Sequence, residues 1–309
     1  MARNRYYIDW LTREAEARGV ALHLVLRDEV FHGVAGGRPV VVHRGDAARA
    51  SGVRSAAPSG APTAAPTEVW PAAASATRPD LPDFALMRTI DPVLSEQLER
   101  CGVPVWNSSS VARICNDKAV THEWLAAAGI PMADTWCLTS EQVQTLPSVP
   151  AVALDYPLVV KTVRGRSGRQ VYRVHDASEW QAIARTLPGV DWVAQRPTGQ
   201  AGKDVRVFVI GRQIVGAVLR VSTTDFRANY SLGGSAAAFE LTAGQRGLVE
   251  RVIDTLPPLG MVGVDWLLDG EENFLLNEVE DVVGSRTLAL TTDVNFPGLY
   301  LDHILSELG

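Results

Sequence analysis

Three acidic residues near the C-terminal end of the sequence are spaced as metal ligands could be. Glu278 and Glu280 alternate on one face of an apolar segment, and Asp265 lies nearly opposite them if the two segments pair as a hairpin. Converging carboxylates repel each other unless a cation neutralises them, and oxygen ligands with spare positions suit Mg²⁺ shared with phosphate. A solvated acidic edge that continues into Asp281 would give the same pattern, so the residues alone leave both interpretations open.

Basic residues precede two places where an anion could bind. Lys161 ends an apolar run directly before residues 164–169 (RGRSGR), whose backbone N–H groups and arginines could surround a triphosphate. Lys118 begins a predicted helix, where a positive side chain is unfavourable against the helix dipole unless an anion is also bound. The alternatives are an ordinary surface hairpin and a solvent-facing lysine, because a short Gly-Ser loop is a weak signal.

Apolar periodicity and capping residues predict the N-terminal elements. We expect a helix over 4–18, a buried strand over Val20–Leu26, a strand over 83–88, a helix over 92–100 and a strand over 103–106. This alternation favours an open α/β layer. Residues 47–79 are mostly Ala, Pro, Ser, Thr and Gly, with too little apolar bulk to offset the entropy of ordering, so they predict a mobile surface loop.

Further along the chain, the pattern becomes that of antiparallel sheets joined by capped helices. Asp117 caps a helix through Ala128, and capping boxes are predicted at Ser178 with Gln181 and at Thr242 with Gln245. The predicted strands are 156–163, 192–195, 205–210, 213–219, 261–268 and 273–279, the last four forming two hairpins.

The composition is that of a globular protein and excludes several function classes. The 309 residues are 46% apolar and 21% charged, and no apolar run approaches the roughly 18 residues of a membrane span. The net charge of −6 provides no global basic field, so we expect neither a nucleic-acid partner nor a membrane. The three cysteines match neither a zinc site nor a disulfide framework, and the charged N-terminus is unlike a signal peptide, so we expect a cytoplasmic protein.

Seven short motifs occur in an order that resembles the ATP-grasp superfamily and, within it, the RimK-type carboxylate–amine ligases. The motifs are Asn116-Asp117-Lys118, Pro157-Leu-Val-Val-Lys161, the Gly165/Gly168 loop, Asp204-Val-Arg206-Val-Phe-Val-Ile-Gly211, Phe226-Arg-Ala-Asn229, Gly263-Val-Asp265 and Asn277-Glu-Val-Glu280. The resemblance extends from residue 100 to about residue 305.

The resemblance implies an α/β plus α+β protein with the ATP-grasp fold. A pre-ATP-grasp α/β domain would span 1–107, a central subdomain 108–195 and a C-terminal subdomain 196–309. ATP would bind between the two subdomains and activate a substrate carboxylate as an acylphosphate, which an amine then attacks.

The resemblance also implies roles for individual residues of this chain. The nucleotide would be bound by Lys118, Lys161, Gly165, Ser167, Gly168, Gln195, Arg196, Thr198 and Asp204. Because Pro197 has no N–H, the hinge donor to adenine would be Thr198. Mg²⁺, or Mn²⁺ in its place, would be held by Asp265, Glu278 and Glu280. The phosphoryl group and the substrate would be contacted by Arg206, Arg227, Asn229 and Arg286.

The sequence departs from the family pattern at the end of the last motif. Glu280 stands where the family usually has Asn, and the following residues up to Arg286 replace the usual Ser-Pro-Gly. The resemblance implies that this segment borders the acceptor pocket, as it does in the family. We infer an ATP- and Mg²⁺-dependent ligase that joins an amino acid or small acid to an amine, as a monomer or a homo-oligomer. An ATP-dependent cyclase acting within one molecule and a non-catalytic ATP-binding regulatory protein are the alternatives.

Overall fold

The structure is a computed structural model that describes residues 5–43, 81–146, 155–166, 168, 170–223, 225–228, 234–270 and 273–309. The chain divides into two compact units, residues 1–110 and 111–309. The predicted loop over 47–79 lies outside the described residues, as do Ser167 and Asn229. No described helix is long and apolar enough to cross a membrane.

The described residues of the N-terminal unit form two α-helices and two pairs of strands. Its elements are α1 (Arg5–Ala17), β1 (Val30–Ala35), β2 (Arg38–His43), β3 (Ala85–Leu86), α2 (Pro92–Arg100) and β4 (Val105–Trp106). β1 and β2 form an antiparallel hairpin, whereas β3 and β4 pair in parallel. Asp91 caps α2 by accepting a hydrogen bond from the Leu94 N–H, and the buried face of α2 packs on Val41 and Val105.

The structure confirms both predicted helices of this unit and corrects its strands. The buried strand predicted over Val20–Leu26 is wrong: these residues belong to no strand, and Leu24 is 64% exposed. The buried strand of this unit is instead β2, in a hairpin that the sequence pattern did not predict, where Val40–Val42 are buried. A short apolar run does not by itself show whether a sheet is available to pair with it. The strand predicted over 83–88 shrinks to two residues, so the described layer consists of two separate strand pairs.

In the C-terminal unit, the part of the chain that the structure describes forms two antiparallel sheets. Its helices are α3 (Ser109–Cys115, which begins just before the unit), α4 (Lys118–Ala127), α5 (Ser140–Thr145), α6 (Ala177–Thr186), α7 (Ala243–Thr255), α8 (Arg286–Thr291) and α9 (Phe296–Leu308). Its strands are β5 (Thr135–Leu138), β6 (Leu158–Thr162), β7 (Val171–Val174), β8 (Trp192–Gln195), β9 (Lys203–Ile210), β10 (Gln213–Val221), β11 (Ser235–Ala238), β12 (Met261–Asp269) and β13 (Asn273–Glu280).

The smaller sheet has the strand order β5-β8-β6-β7 and buries one face against α5 and α6. Leu158 and Val160 alternate toward that core, which places Lys161 on the opposite face. The capping box predicted at Ser178 and Gln181 is wrong. Asp176, two residues before Ser178, caps α6 instead. Its side chain accepts hydrogen bonds from two N–H groups of the first turn, so these donors are already satisfied without the Ser178 side chain.

The larger sheet has the order β11-β10-β9-β12-β13, and α7 packs on it through Val249, Val252 and Ile253. Both predicted hairpins are confirmed, β9-β10 around Gly211-Arg212 and β12-β13 around Gly270. Gly211 has a φ of 55°, a conformation that the hairpin turn requires and that glycine adopts without strain.

A β-bulge interrupts strand β13 at Asn277. Asp265 pairs with Glu278 and Trp266 pairs with Leu276, so Asn277 is the extra residue. Leu276 and Val279 both pack in the larger core although they are three residues apart, a spacing that a regular strand would place on opposite faces. The bulge therefore frees two consecutive side chains, those of Asn277 and Glu278, from the core face.

The predicted capping box of α7 is confirmed and gives a stability test. Thr242 Oγ1 accepts from the Gln245 N–H, and Gln245 Oε1 accepts from the Thr242 N–H. We expect Thr242→Ala to lower the free energy of unfolding by about 1 kcal/mol, because the Gln245 N–H loses its side-chain acceptor. Urea unfolding of the wild type, Thr242→Ala and Thr242→Ser measures it. Equal loss in the serine variant, which keeps the hydroxyl, would show that the cap is not the cause.

Candidate active site

The hairpin register places Asp265 directly opposite Glu278, as the sequence predicts. Asp265 is buried, with 1% of its surface exposed, and it lies between two arginines. Arg206 donates from Nε to one carboxylate oxygen (2.6 Å) and from Nη2 to the other (2.7 Å). Arg220 donates from Nη2 to the second oxygen at 2.8 Å. Cations of the protein itself therefore already neutralise this carboxylate.

The two arginines extend the pairing to two more acidic groups. Arg220 donates from Nε to Asp204 Oδ1 at 2.7 Å in a buried two-pronged contact. Arg206 Nη1 lies 2.7 Å from Glu280 Oε2. The four ion pairs form one continuous network across β10, β9, β12 and β13, in which each guanidinium group bridges two carboxylates.

Burial and neighbouring charges set the protonation of these acids. Burial alone would raise the pKa of Asp265, but Arg206 and Arg220 hold it below its usual value. For Glu280, burial dominates and raises the pKa, and the nearby Asp265 carboxylate raises it further. Burial likewise raises the pKa of Asp204, to about 6, so the charges of both Asp204 and Glu280 are incompletely compensated.

Two lysines approach the same end of β13 from the smaller sheet and from α4. Lys161 Nζ donates to Asn277 Oδ1 at 2.8 Å. Lys118 Nζ lies 3.3 Å from Glu278 Oε2 and donates to the Gly165 carbonyl at 2.8 Å. Burial lowers the pKa of Lys161 to about 8, and the Lys118 charge adds to the lowering. The geometry thus gathers both predicted lysines within one site.

Gly165 and Gly168, the two glycines of the loop after β6, each accept a hydrogen bond from a basic side chain of the site. A side chain at position 165 would collide with Thr162 Oγ1, so only glycine fits there. Gly168, at a φ of 66°, accepts a hydrogen bond through its carbonyl from Arg227 Nη1. Arg227 is itself held by Asp225, which accepts from its Nε at 2.9 Å.

The predicted hinge follows β8. Gln195 is buried and donates through Nε2 to Thr135 Oγ1 at 2.8 Å. Arg196 is half exposed, 3.8 Å from an Asp134 oxygen, and its carbonyl accepts from Thr198 Oγ1. These residues lie at the end of β8, an inner strand of the smaller sheet that pairs with β5 and with β6, the strand that carries Lys161.

Arg286 differs from the other predicted site residues. It is exposed at the first residue of α8, and the buried charge network does not include it.

Sequence reasoning assigned no individual site role to three residues that the structure brings into the site. Arg220 bridges Asp204 and Asp265, Asn277 contacts Lys161, and His122 Nε2 lies 3.1 Å from the Asn277 carbonyl oxygen. The apolar spacing of three between Leu276 and Val279 was the available signal for the bulge that exposes Asn277. His122 had no such signal, because its partner is 155 residues away in the chain.

The oxygen donors at this end of β13 fit a divalent cation only in part. Within the described ranges, no group of three or more His, Cys, Asp and Glu side chains is arranged to hold a metal ion. Glu278 and Glu280 leave 35% and 33% of their side chains exposed, whereas Asp265 is occupied by arginines. The incomplete charge compensation at Glu280 favours binding of a cation by the two glutamates.

Comparison with known proteins identifies the class of this chain. Residues 115–304 match the family described as the RimK-like ATP-grasp domain, so the chain belongs to that family. The resemblance inferred from the motif order is confirmed. A solved structure, an ATP-grasp RimK domain protein from Sphaerobacter thermophilus, superposes over 96% of this chain and 94% of its own, with a TM-score of 0.65 at 22% identity. This similarity confirms the fold.

Two curated relatives are ligases or synthases by name. The chain is 29% identical over 238 residues to N-acetylaspartylglutamate synthase A from Homo sapiens, a match that covers 74% of this chain but only 61% of the human protein. It is 32% identical to a probable alpha-L-glutamate ligase from Haemophilus ducreyi, over 66% of this chain and 67% of that protein.

The buried network makes Arg220 a strong candidate for destabilising substitution. We expect Arg220→Met to lower the free energy of unfolding by about 3–5 kcal/mol, because it leaves Asp204 without its partner in a buried site. Adding Asp204→Leu should recover a large part of that loss, since the buried charge is then removed as well. Denaturant unfolding of both variants measures it, and no recovery in the double variant would contradict the pairing.

Proposed function

We propose that this chain is an ATP-dependent ligase that joins a carboxylate to an amine through an acylphosphate intermediate. The observation that carries the proposal is the site at the end of β13, where Lys118, Lys161 and Arg206 surround Glu278 and Glu280. Positive groups that are held in place stabilise the charge of a transferred phosphoryl group without reorganising. The names of the two curated relatives support the same activity.

In this proposal the nucleotide lies between the two sheets. Lys118 and Lys161 contact the phosphates, the glycine loop covers them, and the Thr198 N–H meets adenine because Pro197 has none. Asp204 acts indirectly, by holding Arg220 in place rather than by touching the nucleotide. We place the boundary between the two nucleotide-binding subdomains at residues 195 and 196, where β8 ends.

We propose that Glu278 and Glu280 hold Mg²⁺, with Asp265 contributing only if Arg206 or Arg220 releases an oxygen. The bound ion would neutralise the phosphates during transfer. The charges of the protein itself already balance nearly one for one, so Mg²⁺ and nucleotide are expected to enter together, because their charges cancel.

Arg206 and Arg227 are proposed to face the phosphoryl group and the substrate. Arg227 already bridges the loop at Gly168 to the C-terminal half of the site. We extend this role to Asn229 from the family motif, and we propose that Arg286 binds a substrate carboxylate with its planar fork of donors.

ADP release with Mg·ATP tests the activity against amino acids and small acids, singly and in pairs. Stimulation by pairs supports ligation. Stimulation by single compounds would favour an intramolecular cyclase, and binding of nucleotide without any turnover would favour a regulatory protein.

Lys161 predicts a pH dependence of nucleotide binding. Phosphate favours the ammonium form, so affinity for a non-hydrolysable ATP analogue should be constant from pH 7 to about 8, the pKa of the free site, and then fall up to tenfold per pH unit. Lys161→Arg should remove this dependence, because arginine stays protonated. Lys161→Ala should weaken binding by about 1.5–3 kcal/mol. Calorimetric titration of the wild type, Lys161→Arg and Lys161→Ala with the analogue measures these affinities. Equal affinities of the wild type and Lys161→Ala would contradict the assignment of Lys161 to the phosphate site.

Glu278→Gln is expected to reduce turnover by at least about 10²-fold while the protein stays folded, because charge compensation at the metal is lost. Glu280→Asn, which restores the residue usual in the family, should have a milder effect. The exposed Glu250→Gln on α7 is the matched control. Wild-type ADP release by Glu278→Gln at limiting Mg²⁺ would place the metal elsewhere.

Arg286→Lys is expected to lower kcat/KM for the acid or amino-acid substrate by roughly 1–3 kcal/mol of transition-state binding, with ATP affinity unchanged, because a two-pronged carboxylate contact is lost. Steady-state kinetics at saturating ATP measures this. Unchanged kcat/KM in Arg286→Lys and Arg286→Ala would return Arg286 to the surface and leave Arg227 as the better candidate.

A further inference from the structure

We propose that Asn277 is a positioning residue that sets the Lys161 ammonium for phosphate binding, with His122 fixing Asn277 in turn. This inference rests on the proposed function of the site. Asn277 connects three elements: its own strand β13, strand β6 through its side chain and helix α4 through its backbone. The side-chain contact thereby joins the larger sheet to the smaller sheet at Lys161, the residue that the proposed function places at the phosphates.

The bulge in β13 makes this contact possible. In a regular strand, the neighbours Asn277 and Glu278 would point to opposite faces of the sheet. Because Asn277 is the bulged residue, its amide reaches Lys161 while the next side chain reaches Lys118. Bulges occur next to active sites, where they redirect single side chains.

His122 holds the other end of Asn277 without adding charge. Its Nε2 lies 3.1 Å from the Asn277 carbonyl oxygen, so Nε2 carries the proton and donates. Burial lowers the pKa of His122 to about 4, and the Lys161 charge adds to the lowering, so the ring is neutral at physiological pH. Its buried Nδ1 has no hydrogen-bond partner within the part of the chain that the structure describes. The ring is therefore a neutral support for the Asn277 backbone.

The chemistry of an amide suits this position. The Lys161 ammonium has three N–H donors, and the Asn277 oxygen accepts from one of them as a neutral group. A carboxylate at the same place would form an ion pair with Lys161 and compete with phosphate for its charge. The other charged or titratable groups that act on Lys161 come from α4 (Lys118, His122), from β12 (Asp265) and from β13 (Glu278).

Two substitutions of Asn277 should move the pH dependence of binding in opposite directions. Asn277→Asp adds a negative charge beside Lys161, so the pH midpoint for loss of analogue binding should rise by about one unit, and affinity at pH 7.5 should fall about tenfold. Asn277→Ala removes an acceptor, so the midpoint should fall below that of the wild type. Asn273→Ala, at the exposed start of β13, is the matched control and should leave the midpoint unchanged.

Titration of a non-hydrolysable ATP analogue in the presence of Mg²⁺, from pH 7.5 to 9.5, measures the midpoints, and melting without ligand verifies folding. In the Lys161→Arg background, neither substitution should introduce a pH dependence of binding over this range, because the titrating group is gone. Asn277→Ser serves as a third, uncharged variant if either of the others fails to fold. Its shorter hydroxyl should lower the midpoint as Ala does.

Two different failures are distinguishable in this experiment. Folded Asn277 variants with the wild-type midpoint, in a protein that binds the analogue, would overturn the positioning role alone. A wild-type protein that does not bind the analogue would overturn the proposed function and, with it, this inference.

Discussion

Charge balance in a small and largely buried space is the constraint on which the candidate site depends. Four acidic side chains and four basic side chains share this space, contributed by α4, β6, β9, β10, β12 and β13: Asp204, Asp265, Glu278, Glu280, Lys118, Lys161, Arg206 and Arg220. Removing a buried member of an ion pair, such as Arg220, leaves a charge uncompensated where water is scarce, which is costly. The strands that carry them are therefore fixed in register by electrostatics as well as by the apolar core.

The same balance explains how the site can be stable before a ligand binds and still receive one. The innermost acid, Asp265, is saturated by two arginines, whereas Glu278 and Glu280 keep about a third of their side chains exposed. The lysine nearest to the bulge is held by a neutral amide rather than by a carboxylate. Inner groups thus maintain the architecture, while the outer groups keep their charges available for a metal and a phosphate.

Much of the fold and several site positions could be predicted from local patterns. Strand β8, both hairpins of the larger sheet and the capping box of α7 follow from alternation, turn glycines and N-cap residues, all of which act within a few residues. At the start of α6, Asp176 and Ser178 are both possible N-cap residues. The spacing from Ser178 to Gln181 predicted Ser178 as the cap, whereas Asp176 is the cap in the structure. The strand predicted over Val20–Leu26 is wrong for a related reason, since an apolar run becomes a strand only if a partner strand lies beside it.

The sequence by itself determined the family of this chain and the order of its motifs, because these depend on local composition. It also determined that Asp265 and Glu278 lie opposite each other, because that depends on hairpin register. Only the tertiary structure decided which charges pair. Arg220 reaches Asp265 across 45 residues, Lys161 reaches Asn277 across 116, and His122 reaches the same residue across 155. A strand pattern specifies which face a side chain takes, but the partner it meets depends on how two sheets and a helix pack against each other, and one bulged residue in β13 changes that outcome.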